Sequence, residues 1–579
     1  MKEAYRQLVS GRPPIVVAPT SYGKTSASHE VFRRAYKEDR IAGGLIHNVP
    51  LRSLVKSIYK DHFEAYGGAY QMHGVVDEEA GKSPYFLKEL VVSTIDSYLW
   101  NLYRIPVAEA DKILSGSSMG HYYPILSSMY TAVNVFDEAH LYMDDNTSGG
   151  QDLGVASVEA ALSALYTFNV HTIIETATMN PGIVREINSL SGGRNRVVTL
   201  DCITGSYMEK LGKAVGKNRV VPVKDKEWVD RYSGVRWETR IKKTWDYLLE
   251  DMCRDSDDGL VLAVSNTVSG AVRLYYNLRK KCGGSIVLVH GRLSESDRAR
   301  AESRIRGMRN GIIVSTQVAE AGVDVNSIAV YTEAAPIENI VQRAGRACRR
   351  GSALEWCSEN RPRVTIVVEG YTKNDPYKPE DKQEALDIIK SSLSGGKTID
   401  WRLPCGSPDR ISYADLLVSR NRNNSPTFSS IDHMKNLLKL YLKSDVQPSI
   451  LKKLLDNEGL CSLFRRTQMT SVAVDVDGVR DFVTVDLEWA FRMTGSIIEE
   501  GENGGPVVEV YRFGDKIASG ELDRAYTAYK RGKRSCSAIS EGVRRDLHDI
   551  IGDKKELYGV SWAFRAREGA YKKGIGLGV

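Results

Sequence analysis

An α/β fold of two similar parallel-sheet lobes, followed by a mainly helical accessory domain, is what the sequence predicts. Three observations carry this. Short apolar, β-branched runs alternate with helical stretches through residues 1–370. The runs fall into two groups separated by a charged stretch, Gly205–Lys243. Past Tyr371 the alternation stops at TKNDPYKPEDK, a charged break that contains proline.

Each predicted strand is a nearly uninterrupted apolar run, the pattern of a strand covered on both faces. In the first lobe these are Pro14–Ala18, Glu89–Ser93, Ala132–Phe136 and Thr172–Thr176; in the second, Leu260–Val264, Ser285–Val289, Gly311–Ser315 and Val364–Val368. The intervening stretch, with GKAVGKNRVVPVKDKEWVDRY, reads as an inter-domain crossing with room for a hairpin. Residues 1–205 therefore form the first lobe, 206–370 the connector and second lobe, and 371–579 the accessory domain. Within the last, Met434–Leu455 reads as helix, and Thr470–Leu487 as one hairpin because its apolar residues alternate around Asp477-Gly478.

Composition excludes several classes. With 42% hydrophobic and 26% charged residues over 579 positions, the chain is neither disordered nor fibrous. No apolar run approaches the ~18 residues that span a bilayer, and MKEAYRQLVSGRPP has no apolar signal core. No membrane role and a cytoplasmic location are expected. The eight cysteines form no C-x-x-C pair, which points to reduced thiols, with Cys348 a small buried filler. The net charge of +6 is unevenly placed: Arg524–Val579 holds 13 Lys and Arg against 6 Asp and Glu. Interleaved there are Tyr526, Tyr529, Tyr558, Trp562, Phe564 and Tyr571, a mixture suited to phosphate contact and base stacking or to an ordinary solvated surface over a core. On the first reading, truncation after Glu521 weakens DNA affinity or recruitment and leaves the fold intact.

The chemistry begins at Ala18-Pro19-Thr20-Ser21-Tyr22-Gly23-Lys24-Thr25, a phosphate loop with alanine at its first glycine position. Strand before and helix after would turn backbone N–H groups and the helix's positive end onto phosphate oxygens. Lys24 would bridge the β- and γ-phosphates and Thr25 would ligate Mg²⁺. Phe136-Asp137-Glu138-Ala139-His140 ends another apolar run. There Asp137 is placed to reach the same metal and Glu138 to activate water. Gln342-Arg343-Ala344-Gly345-Arg346-Ala347-Cys348-Arg349 supplies arginines for the charge that builds on the γ-phosphate. Arg346 and Arg349, three apart, would share a helix face.

In order along the chain, APTSYGKT, DEAH, Thr176-Ala177-Thr178, Ser265-Asn266-Thr267, VSTQVAEAGVD and QRAGRACR resemble the signature of superfamily 2 helicases of the DEAH type. The resemblance implies two RecA-like lobes with ATP between them. It also implies that His140, Thr176 and Thr178 couple hydrolysis to lobe movement. Gly322 and Asp324 would contact the nucleotide, and Arg346 and Arg349, with Gln342, would complete the catalytic set. A narrower resemblance is carried by Pro50-Leu51-Arg52-Ser53-Leu54, Thr94-Ile95-Asp96 and glutamine at 342. It is to the CRISPR-associated helicases of type I interference, which move 3′→5′ on single-stranded DNA. By that likeness Arg52, Thr94 and Thr316 hold the sugar-phosphate backbone. The implied partners are single-stranded DNA, an RNA-guided type I surveillance complex and an HD-type nuclease.

Departures from that family shape the expectation. Only 17 residues precede Ala18, and after residue 370 the histidines are His433 and His548 alone, too few for a two-metal phosphodiesterase. The nuclease is therefore expected on a separate subunit, the split arrangement common in archaeal systems. An upstream glutamine that would read adenine is not evident, since Gln7 lies close to Ala18. His290, after the strand SIVLV, stands where relatives approach nucleic acid. A general superfamily 2 helicase acting on RNA or in DNA repair is the alternative the shared motifs leave open, with a non-translocating ATP-bound clamp as a third.

Overall fold

The structure, a computed structural model, describes every residue except 21, 73–80, 107–119, 121, 144–151, 178, 204, 371–374, 420–428, 444–450, 452–468, 513, 533–535 and 553–559. The first lobe is an eight-stranded, wholly parallel sheet. Its strands are β1 (Pro14–Val17), β2 (Gly44–Val49), β3 (Ala69–Gln71), β4 (Leu90–Thr94), β5 (Ala132–Phe136), β6 (Thr172–Thr176), β7 (Arg196–Leu200) and β8 (Val220–Val223), in the order β3-β4-β2-β5-β6-β1-β7-β8. The second lobe is parallel too: β9 (Glu238–Lys242), β10 (Leu260–Val264), β11 (Ile286–Val289), β12 (Gly311–Ser315), β13 (Ala329–Glu333) and β14 (Arg363–Val367), ordered β11-β12-β10-β13-β14-β9.

All eight strands expected from apolar runs form, each within a residue of its expected ends. Six others belong to the same sheets, and in five of them the sequence shows why they escape an apolar scan. β2 carries His47 and Asn48, both buried; β3 is three residues long; β13 ends in the buried Glu333. β8 and β9 are sheet edges, half-exposed, with Pro222 in one and Glu238, Arg240 and Lys242 in the other. The connector holds no hairpin, a correction to that expectation. β8 closes the first sheet and β9 the second, and the helix Lys226–Ser233 runs between them. Each strand finds a longer, better-buried partner in its own sheet than its neighbour would offer.

Beyond residue 370 come the helix Pro379–Ser394, the parallel pair β15 (Thr398–Asp400) and β16 (Arg410–Ser412), and the helices Tyr413–Ser419 and Ser429–Lys443. The last covers the start of the helix expected over Met434–Leu455; positions 444–450 and 452–455 lie outside the described residues. The predicted hairpin is β17 (Met469–Val476) with β18 (Val479–Asp486), turning through Asp477 and Gly478 at φ 56° and 78°. It belongs to a larger sheet. β19 (Val507–Arg512), β20 (Asp515–Glu521) and β21 (Val560–Arg565) complete five strands in the order β18-β17-β21-β19-β20. A last small pair joins β22 (Tyr571–Lys572) to β23 (Gly576–Leu577).

This sheet overturns one expectation and bears on an open one. β21 is its central strand, so truncation after Glu521 would cut the sheet in two. The aromatic residues of the basic segment fit the second reading, packed over a core: partly buried Tyr526 and Tyr529 pack on Phe491 at 5.8 and 5.1 Å between ring centres, and Trp562 on the buried Phe564 at 5.3 Å. Tyr558 lies outside the described residues. The reduced-thiol expectation also fails. Cys202–Cys405, Cys253–Cys282 and Cys348–Cys357 form disulfides, and Cys348 is thereby a cross-linked residue, not a filler. Spacing hid them, because the first pair closes a loop of 203 residues that only the tertiary fold brings together.

Candidate functional site

Parallel strands end on one edge of each sheet, and that edge collects the chemistry. After β1 the chain turns through the phosphate loop into the helix Lys24–Phe32. Gly23 caps this helix at φ 88°, a left-handed value that glycine adopts without strain. Lys24 is buried and its Nζ donates to the carbonyls of Ala18 (3.1 Å) and Pro19 (3.2 Å). Thr25 Oγ1 donates to Asp137 Oδ2 at 2.7 Å across from the end of β5. A hydroxyl and a carboxylate oxygen this close are the hard donors a magnesium ion takes, so the residues fit that ion. Tyr22 donates to Asp225 (2.7 Å) and sets its ring edge-on to Trp228, joining the loop to the connector helix. Ser21 lies outside the described residues.

Asp137 has a partner that sequence reading missed. His47 on β2 is fully buried, with Nε2 3.3 Å from Asp137 Oδ2 and Nδ1 3.0 Å from Ser28 Oγ. Burial alone would raise the Asp137 pKa, but the His47 ring, the Lys24 charge and the Thr25 hydroxyl hold it below the usual carboxylate range. Glu138 follows at φ 48°, a left-handed backbone that costs a non-glycine residue energy and re-aims its side chain. Its Oε2 is buried without a hydrogen-bond partner, 3.5 Å from His140 Nδ1. Deeper, both oxygens of Glu175 are also unpartnered; burial and the Asp137 charge push that group well above the usual carboxylate range.

His140 connects the lobes. Its Nδ1 lies 3.1 Å from Thr176 Oγ1 at the end of β6, and its Nε2 lies 3.3 Å from Gln342 Nε2 in the second lobe. Thr178 lies outside the described residues. The helix Ile337–Ala344 that carries Gln342 ends before the arginines, contrary to the shared-face expectation. Gly345 closes it and Cys348 reverses the chain at φ 54°, so Arg346 and Arg349 stand on turns. Arg346 donates to the Glu320 carbonyl, and its buried Nε is unpartnered. Arg349 and Arg350 both bind the Asp324 carboxylate, and Arg349 adds the Val325 carbonyl at 3.0 Å. Gly322 ends the helix Val318–Ala321 two residues before Asp324.

Arg343, given no role by the sequence, is the hub of the second lobe. It is fully buried and bonds Glu320 Oε1 (2.8 Å), Asn266 Oδ1 (3.0 Å), Thr332 Oγ1 (2.8 Å), the Glu333 carbonyl (3.2 Å) and Tyr377 OH (3.3 Å). Glu333 in turn accepts from Trp245, Ser265 and the Asn266 backbone N–H. The signal was present in the sequence, an arginine inside a motif already read for arginines.

Of the residues expected to hold a nucleic-acid backbone, Arg52 donates to Thr484 Oγ1 on β18 at 3.1 Å. Thr94 is buried and caps the helix Ile95–Leu102 through the Ser97 N–H; Thr316 is buried at the end of β12. The structure therefore brings Arg52 to the lobe surface under β18 and turns the two threonines inward. β18 also reaches the second lobe, where Asp481 accepts from the Ser296 backbone N–H (3.0 Å) and hydroxyl (2.6 Å).

His290, which the sequence did not assign to the site, is structural. It is fully buried, accepts the Arg292 N–H at Nδ1 (3.1 Å) and donates from Nε2 to the Ile575 carbonyl (2.8 Å). A Cβ on Gly576 would stand 2.7 Å from that ring, which explains glycine there. Burial, with Arg298 and Arg292 nearby, pushes the His290 pKa down to about 4 from 6.5. Between those values the unfolded chain binds a proton that the folded one refuses, so stability falls as pH drops through the window. Amide protection factors in 571–579, taken relative to the intrinsic exchange rate at each pH, are expected to fall from pH 6.5 to 4.5, and to fall less in His290→Gln, whose amide offers one acceptor and one donor. Equal acid sensitivity in the variant would refute this.

Compared with known proteins, the chain matches the family described as DEAD/DEAH box helicase over residues 2–187. Over residues 257–352 it matches the one described as CRISPR-associated nuclease/helicase Cas3, C-terminal. It is 26% identical over 412 residues to the CRISPR-associated helicase Cas3 of Thermoproteus tenax, covering 69% of this chain and 63% of that one. It is 22% identical over 391 residues to the putative CRISPR-associated nuclease/helicase Cas3 of Methanocaldococcus jannaschii, covering 66% of this chain and 46% of that one. The chain thus spans less than two thirds of either relative. The crystal structure of T. fusca Cas3 with ATP has the same fold, with a TM-score of 0.53 and 16% identity over 82% of this chain and 59% of that one. By its ordered motifs, its two RecA-like sheets and these matches, the chain resembles superfamily 2 helicases: a DEAD/DEAH box match covers the first lobe and a match to the Cas3 C-terminal model lies in the second.

Proposed function

We propose that the chain is an ATP-driven 3′→5′ translocase on single-stranded DNA that serves type I CRISPR interference. Its substrate would be the strand displaced when a guide RNA pairs with its target. An RNA-guided surveillance complex would recruit it, and a separate HD-type nuclease would cut the strand it draws in. The observation that carries the motor reading is the polar chain Thr176–His140–Gln342, which runs from the end of β6 in the first lobe to the lobe that bears the arginines.

On this reading Lys24 leaves the loop carbonyls to hold the β- and γ-phosphates, and backbone N–H groups from Thr20 to Thr25 line the rest. Mg²⁺ held by Thr25 and Asp137 would offset the charge on those phosphate oxygens. Glu138 Oε2, free of protein donors, accepts a proton from the attacking water. Arg346 turns its open Nε to the γ-phosphate, and Arg349 exchanges Asp324 for it, leaving that carboxylate to the ribose. When the phosphate departs, His140 loses its reason to hold Gln342, and the lobes part. Arg52 keeps the backbone of the strand through each cycle, independently of sequence.

Hydrolysis of ATP by the purified chain, alone and with single-stranded DNA, duplex DNA or single-stranded RNA, tests this. Single-stranded DNA is expected to stimulate at least tenfold over either other polymer. Stimulation mainly by RNA would replace the reading with that of a general RNA helicase, whose motifs around the nucleotide are the same.

A further inference from the structure

Arg402 lies in the accessory region, past both lobes, yet its side chain ends between them. The turn that carries it is fixed on three sides. Asp400 Oδ1 accepts the backbone N–H groups of Arg402 (3.0 Å) and Leu403 (2.8 Å), while Arg410 holds the other oxygen at 3.2 Å. Trp401 is buried and donates its indole N–H to Thr239 on β9, in the second lobe, at 3.0 Å. Cys405 is cross-linked to Cys202, just past the end of β7 in the first lobe.

From that base the Arg402 guanidinium enters the interlobe site, 1% exposed. Nη1 donates to Thr20 Oγ1 in the phosphate loop (3.0 Å) and to the Gly345 carbonyl between Gln342 and Arg346 (2.9 Å). One face lies on the Tyr232 ring at 4.8 Å. Nε and Nη2 are buried with no partner, and among the described residues no carboxylate comes within ion-pairing distance. A guanidinium never gives up its proton in a protein, so this is a buried, uncompensated charge, which is costly unless an anion completes it. The charge of Arg402 also bears on Arg346 and Arg349, and the first of these has its own open Nε. Three cations therefore converge beside the phosphate loop, and the second lobe's acids answer only part of their charge.

We propose that Arg402 is a third phosphate-contacting arginine, supplied by the accessory domain, that binds the terminal phosphate of the nucleotide held by the loop. Its planar fork suits a phosphate edge, and the two nitrogens without partners are the ones left to engage it. The assignment rests on the nucleotide-site reading given above and adds to it a direct line from γ-phosphate to accessory domain, so that this domain senses whether ATP or ADP is bound.

The test uses the full chain and two probes with magnesium, the non-hydrolysable β,γ-imido analogue of ATP, and ADP. Arg402→Gln keeps an N–H for the Gly345 carbonyl and removes the charge; it is expected to weaken analogue binding at least tenfold and ADP binding less than twofold. Arg402→Lys, which keeps the charge, should retain the greater part of the preference for the analogue and guards against a glutamine variant that does not fold. Equal analogue-to-ADP ratios in the wild type and both variants would overturn the assignment and leave the site reading standing. Parallel loss of both nucleotides in a folded Arg402→Gln would make the residue a structural latch and overturn it as well. A wild-type chain that binds neither nucleotide refutes the site reading and this assignment together.

Discussion

Glu138→Gln is expected to lower the kcat of DNA-stimulated ATP hydrolysis by about 10²–10⁴-fold, the contribution of a well-placed general base, with the KM for ATP nearly unchanged. The substitution keeps the side chain's size and leaves the backbone N–H bond from Glu138 to Asp137 Oδ1 at 2.8 Å. It takes away only the acceptor. Because Glu138 Oε2 accepts nothing from the protein, no internal bond breaks and the melting temperature should not move. A kcat within tenfold of wild type would mean that another group takes the proton. The same variant separates a motor from a clamp: loss of strand displacement with retained DNA binding fits the former alone.

Arg343→Met is expected to destabilise the second lobe by about 3–5 kcal/mol, the usual result of removing one partner from a buried ion pair. Its five bonds tie the strand end at Glu333, the loop at Asn266, the helix at Glu320 and the accessory residue Tyr377 to one planar group. Without it Glu320 Oε1 and the Asn266 amide oxygen remain buried and lose their donor, with Asn339 holding only Glu320 Oε2. Lysine would not repair this, since one ammonium cannot reach acceptors spread around a guanidinium plane. Urea unfolding measured from a probe in the second lobe gives the number. A loss below about 1 kcal/mol would place the pair among weak surface contacts and refute the hub.

Much of the two lobes is legible in the sequence because a strand covered on both faces must be apolar along its length. The legibility stops where function intrudes. β2 was lost because His47 and Asn48 face the nucleotide edge, and β13 because Glu333 holds the loop opposite. The residues proposed for ATP lie in sequence-local motifs and so could be read from the sequence; Thr25 and Asp137 do meet. Arg402 and His47 could not, because neither belongs to a motif and both owe their position to chain far away. The accessory sheet escaped for another reason. β20 is polar and largely exposed, and β21 alternates Trp562 and Phe564 with serine and alanine, so neither resembles the buried runs of the lobes.

The strand order of that accessory sheet has a consequence for how the chain is made. β17–β18 and β19–β20 are local hairpins that can close as soon as they leave the ribosome, but their inner edges meet only through β21. Until Val560–Arg565 emerges, β17 and β19 each present a row of unpaired backbone groups to whatever strand comes near. Biogenesis thus has a sticky interval set by translation speed over the residues between Glu521 and Val560. Slow codons there should raise the aggregated fraction, and a chaperone that shields strand edges should lower it.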